Sequence, residues 1–190
     1  MEDKYKHRIM TIPNVLSMFR LLLVPMIVWL YVYKQDYLWT AVILVISGIT
    51  DVVDGFIARK FNMISDFGKA FDPVADKLTQ MATLLCLITR FPELLVPLIL
   101  LVVKEIFAAV TGLLIIRKTG VVLGAVWHGK AATVCLYSMI IIHILWFNIP
   151  SAVSWTLVGI CTATVLVSAI GYGIRNLSIL LNGENSDERV

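Results

Sequence analysis

Apolar residues fill this chain in blocks of roughly 20, the length an α-helix needs to cross a hydrocarbon core, and short polar stretches separate the blocks. Taken in order, the pattern predicts six spans. The first follows Pro13-Asn14, with Asn14 as the expected N-cap, and runs to about Tyr33. Lys34-Gln-Asp36 breaks it, and a second span covers about Tyr37 to Ile57. A polar connection, Phe61 to Lys69, leads to a third from about Ala70 to Thr89. Arg90-Phe-Pro92-Glu93 turns the chain into a fourth, about Leu94 to Ile116. His128-Gly129-Lys130 opens a fifth that ends near Phe147, and Asn148-Ile-Pro150 leads into a sixth, about Ser151 to Tyr172. With a basic segment at 1–12 and a polar tail at 180–190, the chain reads as a single all-α membrane domain, 1–190, a six-helix bundle.

Polar residues inside the apolar blocks are the next signal. Asn14, Ser17 and Arg20 recur every three residues and form a stripe that cannot face lipid cheaply; either capping and snorkelling or a role near a site accounts for it. Lys104 and Glu105 lie at mid-depth of the fourth span, and because adjacent residues on a helix diverge, different partners are expected for them. His143 reads as a hydrogen-bonded bundle residue, and Cys86, Cys135 and Cys161 as small packing residues. Gly120-x-x-x-Gly124 lies in too polar a connection to be a helix-dimerisation motif.

Composition strengthens the membrane reading. The chain is 59% hydrophobic and 15% charged, against roughly half and a quarter for ordinary globular domains, and its mean hydropathy is +0.87. No cleavable signal pattern follows the charged start. A net charge of +3 is modest, so placement matters more than sum, and no nucleic-acid partner is expected. Lys4, Lys6, Arg8, Arg59, Lys60, Lys69, Arg117, Lys118, Lys130, Arg175 and Arg189 fall on one side of the six spans, and Lys34 and Arg90 on the other. That bias predicts cytoplasmic termini in a multi-pass protein of the plasma membrane.

Against this background four carboxylates stand out. Asp51 and Asp54 are spaced i, i+3 at the end of the second span, and Asp72 and Asp76 i, i+4 at the start of the third, so each pair projects from one helix face. Like charges so close need neutralising, because a buried unpaired carboxylate loses its hydration or takes up a proton. All-oxygen ligation without Cys or His points to a hard ion, Mg²⁺ or Mn²⁺, and four carboxylates can share two. Gly55 and Gly68 suggest close approach of a ligand or backbone, and Arg59 offers a planar fork for phosphate. Lys77 can pair with a neighbouring carboxylate. The acidic cluster falls at the cytoplasmic face, within reach of soluble metabolites; a small ion transporter is the alternative from another class.

The stretch D-x2-D-G-x2-A-R-x8-G-x3-D-x3-D, formed by Asp51, Asp54, Gly55, Ala58, Arg59, Gly68, Asp72 and Asp76, resembles the signature of the CDP-alcohol phosphotransferases at every fixed position. Ile12-Pro13-Asn14-Val-Leu16-Ser17-Met-Phe-Arg20 is similar to the opening of members that make phosphatidylglycerophosphate or cardiolipin. The resemblance implies a six-span homodimer that transfers a phosphatidyl group from CDP-diacylglycerol to an alcohol and releases CMP. It implies metal binding by Asp51, Asp54, Asp72 and Asp76, with Asp76 also as the base. Asp54, Gly55, Ala58, Arg59 and Gly68 would accommodate the CDP donor. The acceptor is expected to be glycerol 3-phosphate, its phosphate held by Arg117, Lys130 and Lys104, with cardiolipin synthesis from phosphatidylglycerol as the alternative. Two positions depart from the glycerol 3-phosphate pattern: Lys104-Glu105 stands for Arg-Glu, and Gly129-Lys130-x-Ala132-Thr133 lacks the second lysine of Gly-Lys-x-Lys-Thr.

Overall fold

A computed structural model of the chain describes residues 11–61, 66–119 and 126–182. The basic start at 1–10, the end of the polar tail and the Gly120–Gly124 stretch lie outside them. Among the described residues there are six α-helices: α1 Ile12–Val28, α2 Tyr37–Lys60, α3 Asp66–Ile88, α4 Leu95–Thr119, α5 Trp127–Leu145 and α6 Ser151–Asn182. A π-helical stretch, Trp29–Lys34, prolongs α1, and a 3-10 turn, Pro92–Leu94, precedes α4. The fold is all-helical, and five of its helical segments are long and apolar enough to cross a membrane. α3 is not among the five. Its 23 residues have the length of a span, but Asp66, Lys69, Asp72, Asp76 and Lys77 crowd its first half.

The helix boundaries follow local chemistry. Thr11, not Asn14, caps α1, its hydroxyl accepting from the Asn14 N–H at 3.4 Å. Pro13 sits in the first turn, where its missing N–H costs nothing, and Asn14 is buried within the helix. The first span ends where Gln35 takes a left-handed conformation, φ 53°. Asp36 then caps α2, accepting from the Trp39 N–H at 3.1 Å.

The chain divides into two compact units, Met1–Pro92 with Ile140–Phe147, and Glu93–Met139 with Asn148–Val190. In the first, α1 packs against both α2 and α3. Its buried positions are Asn14, Ser17, Arg20, Leu23 and Ile27, while Val15, Phe19, Leu22 and Met26 are exposed. A helix that hides its polar stripe and presents aliphatic side chains outward is built for lipid rather than water. α3 likewise buries Thr79, Gln80 and Thr83, and both threonine hydroxyls donate to carbonyls one turn back, at 2.9 and 2.8 Å. At the other end of α2 the Arg90 side chain donates to the Phe147 carbonyl, and buried His143 packs edge-on to Phe91 at 5.1 Å.

In the second unit α4 packs on α6. α6 continues well beyond the expected end at Tyr172, reaching Asn182 for 32 residues, about 48 Å at the α-helical rise and longer than a ~30 Å core. The extension has partners: Asn176 Nδ2 donates to Thr111 Oγ1 at 2.7 Å, and Lys118 Nζ donates to the Leu180 carbonyl at 2.5 Å. Arg175 therefore lies within the helix, past the expected end of the span at Tyr172.

Candidate active site

Three helices of the first unit meet where the carboxylates lie, and α1 supplies the residues that join them. Arg20 is fully buried. Its Nη2 donates to Asp54 Oδ2 at 2.5 Å, and its Nη1 stands 2.6 Å from Asp51 Oδ1. The second contact is a close ion pair without hydrogen-bond alignment, and Nε has no hydrogen-bond partner. One turn earlier the Ser17 hydroxyl lies 2.5 Å from Asp72 Oδ1 and 3.3 Å from Asp54 Oδ2; it also reaches the Pro13 carbonyl at 3.1 Å. A hydroxyl carries one proton, so Ser17 donates to one acceptor at a time. The three-residue spacing of Ser17 and Arg20 puts both on the face of α1 that meets α2 and α3.

This geometry decides between the two explanations of the α1 stripe: Arg20 does not snorkel, because it lies between two carboxylates. The signal available in the sequence was the 14, 17, 20 spacing, but nothing there tied it to the aspartates. Asp76, on α3, accepts from Gln80 Nε2 at 3.0 Å and lies 3.4 Å from Lys77 Nζ. Gln80 is fully buried and was not anticipated as a site residue. Gly55 and Ala58 lie in α2, partly exposed, and Gly68 is buried in α3. Arg59 belongs to α2, and its side chain lies outside the described residues.

The donor set of carboxylates and a hydroxyl has the chemistry of a hard-cation site. Among the described residues, however, no three Asp, Glu, His or Cys side chains form a ready-made metal cluster. Asp51, Asp54 and Asp72 engage Arg20 and Ser17 instead, and Asp76 engages Gln80 and Lys77.

The second unit carries a separate cationic group. Lys104, buried in α4, pairs with Glu105 at 2.8 Å, so the two neighbours meet each other rather than diverging as expected. The reason is reach: the long, flexible lysine stem can bend to the carboxylate of its neighbour. Lys104 Nζ also lies 5.7 Å from the centre of the Tyr172 ring, and the Arg175 guanidinium 5.1 Å from it. His128 meets the same ring edge-on at 5.8 Å. Gly129 lies so close to this tyrosine that a Cβ there would stand 2.9 Å from its hydroxyl. Arg117 and Lys130 are exposed. Ala132, the departure from the expected Gly-Lys-x-Lys-Thr run, is buried.

A helical chain with lipid-type outer faces and an acidic cluster enclosed by three helices is a multi-pass membrane protein built around a charged site. Residues 10–170 match the CDP-alcohol phosphatidyltransferase family, and the chain belongs to it. It is 30% identical over 177 residues to a CDP-diacylglycerol–glycerol-3-phosphate 3-phosphatidyltransferase of Aquifex aeolicus, a match covering 90% of this chain and 98% of that one. The enzyme of the same name from Bacillus subtilis is 32% identical over 158 residues, 74% of this chain and 81% of its own. A cardiolipin synthase (CMP-forming) of Streptomyces coelicolor is 38% identical over 133 residues, 66% of this chain but 61% of its own length.

Proposed function

We propose that the protein transfers the phosphatidyl group of CDP-diacylglycerol to a hydroxyl of glycerol 3-phosphate, giving phosphatidylglycerophosphate and CMP. The observation that carries this reading is the extent of the Aquifex match, which takes in nearly the whole of both chains. The Streptomyces relative is more similar over a shorter stretch. It keeps transfer to phosphatidylglycerol, giving cardiolipin, as the second reading.

In this mechanism the acceptor hydroxyl oxygen attacks the phosphorus that bears the diacylglycerol group. The new P–O bond forms as the bond to the CMP oxygen breaks, and CMP leaves with the electron pair. The hydroxyl proton passes to Asp76, whose carboxylate is oriented by the Gln80 amide. Asp51, Asp54, Asp72 and Asp76 are the residues that would hold Mg²⁺ or Mn²⁺, two ions sharing four carboxylates. When bound, such ions offset charge on the pyrophosphate and on the leaving CMP. Asp54, Gly55, Ala58, Arg59 and Gly68 receive the cytidine diphosphate. Lys104, Arg117 and Lys130 receive the acceptor phosphate, Lys104 by exchanging its Glu105 partner for it.

The same reading includes six spans with α3 as the polar member, both termini and the site at the cytoplasmic side of the plasma membrane, and a homodimer. Its test is a product assay: purified protein with CDP-diacylglycerol and either glycerol 3-phosphate or phosphatidylglycerol, followed by identification of the lipid formed. Phosphatidylglycerophosphate with stoichiometric CMP is expected. Cardiolipin from the second acceptor alone would transfer the assignment to the alternative.

A further inference from the structure

We propose that Arg20 competes with divalent cations for Asp51 and Asp54, so that cation loading is coupled to the arrival of the donor's pyrophosphate. The proposal rests on the metal-binding reading above and adds a residue of α1 that lies outside the eight-position motif.

The guanidinium spans two carboxylates one helical turn apart, at 2.6 Å from Asp51 and 2.5 Å from Asp54. It brings a full positive charge to the site. Asp54 Oδ2 receives Arg20 and lies 3.3 Å from the Ser17 hydroxyl, which is closer to Asp72 at 2.5 Å. A cation that binds through Asp51 and Asp54, whether at these oxygens or at the second oxygen of each carboxylate, meets a pair whose negative charge the guanidinium already offsets. Arg20 is fully enclosed, with Nε already unpartnered. Water reaches the site through Asp51, whose side chain is 44% exposed, but not Arg20 itself, so the repulsion between its charge and an incoming dication is screened less than between two surface charges.

A pyrophosphate brings negative charge and further oxygen ligands to the same place. It lowers the repulsion and gives the displaced guanidinium an anionic partner. Cation and nucleotide diphosphate then favour each other's binding, and linkage makes the effect reciprocal. Arg20 acts through the carboxylates and is a positioning residue, not a catalytic one.

The experiment counts Mn²⁺ bound to the full-length protein in detergent by the EPR signal of free Mn²⁺, with and without CDP, against a CDP-only blank. It compares the wild type with Arg20→Gln, which removes the charge and leaves a shorter amide donor, and Arg20→Lys, which keeps charge but loses the fork. CDP is expected to tighten Mn²⁺ binding to the wild type by about 10-fold or more. Arg20→Gln should bind Mn²⁺ at least about 10-fold more tightly than the wild type without CDP, and gain correspondingly less when CDP is added. Arg20→Lys should fall between. A folded Arg20→Gln protein that binds Mn²⁺ no better than the wild type overturns the competition and leaves the metal site intact. If that variant does not fold, a wild-type Mn²⁺ affinity indifferent to CDP overturns it equally. A wild type that binds no Mn²⁺ even with CDP removes both this proposal and the metal reading beneath it.

Discussion

The two charged regions are held by different physics. In the first unit, anions are fixed by close partners from another helix: Arg20 and Ser17 of α1 reach Asp51 and Asp54 of α2 and Asp72 of α3, with contacts from 2.5 to 3.3 Å. In the second, Lys104 and Arg175 rest on the face of one tyrosine at 5.7 and 5.1 Å, contacts that carry attraction with little demand on angle. The buried pair at its centre, Arg20 and Asp54, is intolerant of change, because removing one partner strands the other. Cations on an aromatic face are exchangeable within limits. Substitutions in the acidic cluster should therefore act steeply, and those in the cationic group by degrees.

The largest effects are expected where the acidic network is cut. Asp54→Asn and Asp72→Asn should both reduce CMP release to background at any Mg²⁺ or Mn²⁺ concentration, and excess chelator should do the same to the wild type. The two variants should separate in stability. Asp54 is buried against an enclosed arginine, so Asp54→Asn leaves that charge poorly compensated at a cost of about 3 kcal/mol. Asp72 receives a hydroxyl rather than a guanidinium, and its variant should unfold close to the wild-type temperature in detergent. Equal destabilisation of the two would break the contrast between charge-held and hydroxyl-held carboxylates.

Asp76→Asn comes next. It should lower kcat by roughly 10² to 10⁴, the range for loss of a general base, while keeping more CDP-diacylglycerol binding than Asp54→Asn. Loss of donor binding to the same degree in both variants would make Asp76 a ligand first and a base second.

How far the sequence showed this arrangement differs between the regions for the same physical reason. Asp51, Asp54, Asp72 and Asp76 were legible because a helix turns spacing into a shared face, and because carboxylates in an apolar chain demand explanation. The apolar blocks gave the helices for a similar reason, although the end of α6 was set by Asn176 and Lys118 finding partners on or across from α4, which no local pattern encodes. Arg20 lies 31 residues before Asp51 in the sequence, so its pairing is a fact of packing. The Lys104–Glu105 pair was misjudged by treating side chains as rigid spokes, when a lysine stem is long enough to turn back on its neighbour. Tyr172 passed as an end-of-span aromatic; its role as a platform emerges only when α4, the start of α5 and α6 are assembled.

On the cationic side, Lys104→Met should have the strongest effect, raising the KM for glycerol 3-phosphate by roughly 10- to 100-fold, as expected for a charge-assisted contact worth about 1.5 to 3 kcal/mol. Arg117→Ala and Lys130→Ala should raise it less, because both side chains are exposed and water screens them. In all three the KM for CDP-diacylglycerol should stay near the wild-type value. Lys118, which donates to the Leu180 carbonyl, should leave both KM values unchanged when replaced by Ala.

The smallest effect, and the one that tests the aromatic platform itself, belongs to Tyr172. Phenylalanine keeps the ring and loses only the hydroxyl, which accepts from the Val126 N–H at a long 3.4 Å. Tyr172→Phe should therefore match the wild type in the KM for glycerol 3-phosphate. Leucine keeps much of the apolar bulk but removes the face on which Lys104 and Arg175 rest, and cation–π contacts are worth about 0.5 to 2 kcal/mol each. Tyr172→Leu should raise that KM by a few-fold to about 10-fold, with kcat and the KM for CDP-diacylglycerol little altered. A merely structural tyrosine would behave otherwise: its replacement would lower the unfolding temperature and the active fraction, and so reduce kcat for every substrate alike. If Phe and Leu prove equivalent, the ring does not hold the cations, and the Lys104–Glu105 pair alone fixes the buried charge on α4.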